Sequence, residues 1–215
     1  MKEYLGARNW EDTAQFYNRK YLESGKEAFK GYDFSFFFDW IKTLMGGFRP
    51  TDSVLDCGCG HGEFLETIIS KYSFGSPSLN GVDISRNALD LFMDRFKNYE
   101  FDVNLTLGGM EHLCKLYCNE KFDVVTSWGS IEHTSDPIRT FREMIEVTKF
   151  GGFIFITVPL EFDGCLTAIE NEDFKNNNER FMTYKEWCEY FSQVKKPIAT
   201  QKVNDGTDIL LIFKK

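Results

Sequence analysis

The chemistry-bearing residues of this chain gather around one short stretch. An apolar pair, Val54-Leu55, ends in Asp56 and runs into Gly58, Gly60 and Gly62 at every second position before Glu63 opens a helical pattern. Glycine admits positive φ and lets a ligand approach the main chain with no Cβ between them, so this spacing builds a contact loop rather than a plain turn. A second acid, Asp83 in Gly81-Val82-Asp83-Ile84-Ser85, ends another β-type run. An acid at a strand end, at this spacing from the glycine loop, is placed to contact a ligand held there. His133, in Ser130-Ile131-Glu132-His133, is the candidate general base, because imidazole titrates near neutrality; Glu132 is a lesser candidate. The competing role for His133 is to cap the helix that starts near Asp136. Cys57, Cys59 and His61 alternate through the glycine loop, but zinc pairs are spaced C-x₂₋₄-C and no fourth ligand is identifiable. Their expected role is to fill space against the sheet, and no metal is expected.

Two phosphate-binding motifs are absent. The dinucleotide fingerprint G-x-G-x-x-G requires glycine at position 63, which is Glu63, and the G-x-x-x-x-G-K-[ST] loop is not present.

The elements that position these residues follow from periodicity. From Trp10 to Met45 aromatic and aliphatic residues recur at helical spacing until Gly46-Gly47 and Pro50 stop them. Between Ser53 and Pro159, β-type runs at Val54–Asp56, Leu79–Asp83, Val103–Leu107, Phe122–Ser127 and Phe153–Val158 alternate with helical patterns at Glu63–Tyr72, Arg86–Phe96, Glu111–Tyr117 and Ile138–Thr148. That alternation predicts βαβ units and a mainly parallel sheet. Thr183 and Glu186 have capping-box spacing for a helix through Val194. Pro197–Val203 and Thr207–Phe213, joined through Asn204-Asp205-Gly206, predict a closing antiparallel hairpin.

With these elements in place, the D-x-G-x-G-x-G spacing at Asp56, Gly58, Gly60 and Gly62 resembles the first motif of class I S-adenosylmethionine-dependent methyltransferases, and further motifs follow in that family's order. Gly81 to Ser85 looks like the second strand, whose acid holds the ribose. Leu107-Gly108-Gly109-Met110-Glu111-His112-Leu113 is similar to the G-D-A-E-x-L segment beside the adenine, departing at Gly109, where the family often has aspartate. Phe122 to His133 looks like the fourth strand and the loop facing the methionine, and Ile138 to Pro159 resembles the helix, K-x-G-G turn and fifth strand that follow.

The resemblance implies a doubly wound, mainly parallel seven-stranded α/β sheet with a C-terminal antiparallel hairpin. Residues 1–50 form an N-terminal helical cap, 51–215 the cofactor-binding domain, and 160–182 a lid on the acceptor side. It implies S-adenosylmethionine as cofactor, held by Asp56, Gly58, Cys59, Gly60, Asp83, Ile84, Met110, Glu111 and Trp128, with Tyr17 reaching in from the cap and His133 as the catalytic residue. Trp128 offers an aromatic face to the sulfonium.

Composition restricts the partners. The 215 residues carry 25 basic and 33 acidic side chains, a formal charge of -8, which repels polyanions. No D-P-P-[YFW] or Pro-Cys segment follows the fourth strand, where Thr126-Ser127-Trp128-Gly129 stands. Nucleic acid is therefore not the expected substrate. A small polar acceptor such as a sugar or nucleotide-linked metabolite, methylated on oxygen, is. The longest apolar run, Gly151–Leu160, is about half the ~20 residues a membrane span needs, and Met1–Asp12 holds no apolar signal core. The expected location is the cytoplasm, with the six cysteines as free thiols. Two other readings compete: a cofactor-binding module without turnover that acts with a partner, and a nicotinamide-dependent oxidoreductase.

Overall fold

The computed structural model describes residues 10–25, 32–72, 77–97, 102–161 and 180–215. The β-type runs become β1 (Ser53–Cys57), β2 (Ser78–Asp83), β3 (Val103–Leu107), β4 (Phe122–Trp128) and β5 (Thr148–Pro159), all parallel. β1, β2, β4 and β5 are largely buried, as near-continuous apolar strands of a covered parallel sheet must be, whereas β3 lies at the edge and is half-exposed. The closing hairpin supplies β6 (Ala199–Val203) and β7 (Asp208–Lys214), antiparallel to each other, with β7 antiparallel to β5. The sheet order is β3-β2-β1-β4-β5-β7-β6. It reverses direction between β1 and β4, which places a ligand crevice beyond the carboxyl ends of those strands.

Helices α1 (Trp10–Ser24), α2 (Ser35–Met45), α3 (Glu63–Lys71), α4 (Arg86–Phe96), α5 (Leu113–Tyr117), α6 (Pro137–Val147) and α7 (Tyr184–Ser192) flank the sheet. Two cores result. On one face Phe37, Phe38 and Ile41 of α2 join Phe64, Leu65 and Ile68 of α3 and Phe92 of α4 over Val54, Val124 and Phe155. On the other, Phe141 and Met144 of α6 and Trp187 and Phe191 of α7 pack over Leu55, Val125 and Ile156. The periodic apolar face of α2 is thus an integral part of the sheet's own core. α1 sits further out, fastened to the start of α4: Asn18 Oδ1 accepts from Ser85 Oγ at 3.0 Å and Asn87 N at 3.1 Å, and Asn87 Nδ2 donates to Asn18 O at 2.8 Å.

Local chemistry sets the helix starts. Ser85 caps α4 by accepting from Ala88 N, Asp136 caps α6 by accepting from Arg139 N, and Thr183 with Glu186 forms the full capping box of α7. Two expectations need adjustment. The helix expected over Glu111–Tyr117 starts as a 3-10 turn, Met110–His112, and is α-helical only from Leu113. Thr148, expected to end a helix, begins β5, and the K-x-G-G turn becomes an irregularity inside that strand with Gly151 at φ 81°. The hairpin closes, as expected, through Asn204, Asp205 and Gly206, which take φ of 51°, 52° and 87°.

The expected lid over 160–182 falls mainly on residues 162–179, outside the described residues. Its ends meet, with Leu160 bridged to Met182 and Glu161 N donating to Met182 O at 3.0 Å. Among the described residues no helix is long and apolar enough to cross a membrane.

Because Phe37 is fully buried between α3 and Phe155, Phe37→Ala is expected to cost about 3–5 kcal/mol in urea denaturation. A loss of a few tenths would show that α2 is not part of the core.

Candidate functional site

The crevice at the switch point is a cavity with an empty volume of about 1070 Å³, including space open to solvent. Its floor is the end of β1. There Gly58, Gly60 and Gly62 take φ of 76°, 53° and 89°, a left-handed path that side-chain-bearing residues rarely follow. A Cβ at Gly60 would lie 2.5 Å from the Tyr21 hydroxyl, so glycine there also lets α1 close down on the loop.

Four of the loop's backbone donors are already engaged. Gly58 N and Cys59 N donate to Val82 O at 2.8 and 3.1 Å, Gly62 N to Cys59 O at 3.0 Å, and Gly60 N to Asp83 Oδ2 at 2.8 Å. A phosphate-binding loop instead turns its N–H groups outward to the anion. This loop therefore has the outline of one without its function.

Asp83 anchors the next wall. Its Oδ2 receives Gly60 N and its Oδ1 receives Ser85 N at 2.8 Å, so one carboxylate at the end of β2 fastens both the glycine loop and the turn into α4. Each oxygen retains acceptor capacity toward the cavity that Asp83 lines. Burial pushes the Asp83 carboxyl up to about 6 against the pull of its backbone hydrogen bonds. Asp56 is pushed up to about 7, again chiefly by burial, with its hydrogen bond from Thr126 Oγ1 at 2.8 Å opposing and the charge of Asp83 adding.

The residues assigned from sequence to cofactor binding and catalysis line this one cavity: Asp56, Gly58, Cys59, Gly60, Asp83, Ile84, Met110, Glu111, Trp128, Tyr17 and His133; Gly62 and the lesser base candidate Glu132 are not among its lining residues. Tyr17 and His133 meet edge to face with ring centroids 5.8 Å apart, joining α1 to the segment after β4. His133 does not cap α6. It lies in the 3-10 turn Ile131–His133, and Asp136 does the capping. Its Nε2 is 3.8 Å from Glu132 Oε1, within ion-pair reach when the imidazole is protonated. Arg180 steadies this turn. Its guanidinium donates to the carbonyls of Glu132 and Thr134, the latter at 2.7 Å, and burial lowers its pKa.

Sequence reasoning missed Thr13, Tyr21, Tyr32, Phe34, Ser130 and Thr134, which also line the cavity. Tyr21 was legible in principle, lying one helical turn from Tyr17 on the same face. Tyr32 and Phe34 carried no local signal. They are placed by packing, Phe34 against Phe64 and Trp128 at 5.2 and 5.5 Å, and Tyr32 through its hydroxyl bond to Asp208.

The electrostatics of the cavity are one-sided. Asp56, Glu63, Asp83 and Glu111 line it, and among the described lining residues there is no lysine or arginine. Such a site suits hydroxyls, amino groups and cations, and repels phosphates. S-adenosylmethionine matches this donor set, since it presents a ribose diol, an adenine amino group, an ammonium and a sulfonium. Its own carboxylate is the one group these acids do not favour.

Comparison with known proteins agrees. A family model described as a methyltransferase domain matches residues 29–195. The ubiquinone biosynthesis O-methyltransferase of Coxiella burnetii is 27% identical over 125 residues, covering 58% of this chain and 51% of that protein. The chain spans about half the length of the curated relatives it matches. Among solved structures, the plantazolicin methyltransferase BpumL, in complex with a triazolic desmethylPZN analog and SAH, superposes with a TM-score of 0.64 at 13% identity, covering 96% of both chains. The [4+2]-cyclase SpnF superposes with a TM-score of 0.68 at 17% identity, covering 93% of this chain and 78% of that one.

Since Asp83 holds its proton to higher pH in the folded protein than the ordinary 3.8, it favours folding at low pH, and that contribution fades as pH rises from about 4 to beyond about 6. The stability of the unmodified protein relative to Asp83→Asn is therefore expected to fall by up to roughly 3 kcal/mol across this window, beyond any constant offset from the altered hydrogen bonds. Urea titrations at several pH values check this; a pH-independent difference contradicts it.

Proposed function

The chain belongs to the methyltransferase-domain family of class I S-adenosylmethionine-dependent methyltransferases, and from that premise we propose that the protein is an active enzyme transferring a methyl group to a hydroxyl of a small polar acceptor. The observation that carries this reading is the cavity with four acids and no lysine or arginine among its described lining residues. When bound, S-adenosylmethionine supplies an electrophilic methyl carbon on a sulfonium. The protein's own residues then have distinct tasks.

Asp83 accepts the ribose hydroxyls with the capacity its backbone hydrogen bonds leave, while Ile84 and Met110 offer apolar surface to the adenine. Trp128, packed among Phe34, Phe36, Phe37 and Phe64 with ring centroids 4.9–5.9 Å away, is a fixed aromatic wall that excludes water near the positive sulfur. Tyr17 and Tyr21 of α1 close the outer side. His133, 9% exposed at the cavity edge, takes the proton from the acceptor hydroxyl, with Glu132 beside it to balance the charge gained.

Aromatic side chains of Tyr17, Tyr32, Phe34 and Trp128 wall the cavity, which favours an acceptor with one flat or weakly polar face, such as a sugar or a hydroxylated ring. The acids disfavour phosphate inside the cavity, so a nucleotide-linked acceptor would have to keep its phosphates outside it. The engaged N–H groups of the glycine loop count against a nicotinamide dinucleotide in the same way. The second reading, a cofactor-binding module without its own turnover that acts with a partner, draws on Gly109 standing where the resembled motif has an acid.

Incubation with methyl-labelled S-adenosylmethionine and a panel of hydroxylated metabolites, beside an active methyltransferase control, separates these readings. Transfer of label supports the enzyme, and tight cofactor binding without transfer across the panel supports the module. Asp83→Ala is expected to weaken binding of S-adenosylhomocysteine in calorimetry by about 1.5–3 kcal/mol. His133→Ala is expected to lower kcat by roughly a hundredfold or more while cofactor affinity stays within a factor of about two. Full turnover in that variant would make His133 structural.

A further inference from the structure

The adenine end of the cavity has a glycine where the resembled motif has an aspartate, and the fold fills that gap from another position. Gly109 has ordinary extended backbone, φ -82° and ψ 139°, so conformational strain is not what calls for glycine there. The space beside it is occupied: a Cβ built on Gly109 would lie 3.0 Å from Glu111 Oε2 and 3.9 Å from Ile84 Cδ1. The Glu111 carboxylate thus lies against the space that a side chain at position 109 would enter.

Glu111 is held there. Its Oε1 accepts from Ser135 N at 3.2 Å and from Ser135 Oγ at 3.4 Å, which fixes the side chain, and Oε2 has no hydrogen-bond partner among the described residues. The residue is only 7% exposed and lines the cavity. An acceptor without a protein donor on a largely buried residue of the cavity wall is matched by a ligand N–H.

We infer that Glu111 Oε2 accepts the hydrogen bond of the adenine 6-amino group, with Gly109 leaving it the room, so that Glu111 is the residue specifying adenine in this cavity. The inference rests on the S-adenosylmethionine reading of the same site.

The test compares the affinity of S-adenosylhomocysteine with that of its analogue bearing hydrogen in place of the 6-amino group, both by calorimetry. The unmodified protein is expected to bind the analogue about tenfold or more weakly. In Glu111→Gln the side-chain carbonyl can keep the Ser135 bond while an amide N–H faces the purine, so discrimination is expected to fall to about one with the fold intact. Glu111→Ala is expected to lose discrimination as well, and Gly109→Asp added to Glu111→Ala to restore it. If the unmodified protein does not discriminate, or if folded Glu111→Gln and Glu111→Ala keep its ratio, the amino group is read elsewhere and the inference fails while the cofactor reading stands. Failure of the unmodified protein to bind S-adenosylhomocysteine at all overturns both.

Discussion

The site depends on one buried anion. Asp83 ends β2 with both carboxylate oxygens committed to backbone N–H groups, Gly60 on one side and Ser85 on the other. A desolvated carboxylate is tolerated only where such donors meet it, and these two donors belong to the turns that form the floor and one wall of the cavity. The same acid that shapes the pocket therefore also supplies part of its negative field. Exchanging it for a neutral side chain disturbs geometry and charge together.

From that constraint the rest of the arrangement follows. Tying Gly60 N inward, with Gly58 N and Cys59 N held by Val82 O, leaves a glycine loop that permits close approach yet offers few donors to an anion. Asp56, Glu63 and Glu111 extend the negative lining, while α1, fastened through Asn18 to the start of α4, brings tyrosines over the top. The chemical preference comes from which backbone groups are already satisfied and from charge of a single sign. The fold itself is shared with proteins of different stated activity, among them a [4+2]-cyclase, and so does not settle the reaction.

Much of this was legible in the chain because it is local. Asp56 with its alternating glycines, and Asp83 at the end of a β-type run, are contiguous signals whose purpose follows from backbone sterics and strand-end placement. The strands were legible because covered parallel strands read as apolar runs, and Thr183 with Glu186 because a capping box is a four-residue motif. What sequence left open was non-local. Tyr32 and Phe34 reach the cavity through contacts with Asp208, Phe64 and Trp128, far away along the chain, and no spacing rule announces them. The capping role considered for His133 gave way to Asp136 because the 3-10 turn Ile131–His133 ends before α6 begins. Gly109 reads locally as a lost acid, and only the fold brings the Glu111 carboxylate beside it.

The central claim is that the acid-lined hollow beyond β1 and β2 receives an adenosyl sulfonium compound and not a phosphate-bearing one. A crystal structure of the protein grown with S-adenosylhomocysteine tests it most directly. The account predicts density along the glycine loop with the ribose hydroxyls on Asp83, the purine between Ile84 and Met110, and the sulfur toward Trp128. The same hollow filled by the protein's own side chains, or the nucleoside bound elsewhere on the molecule, would contradict it.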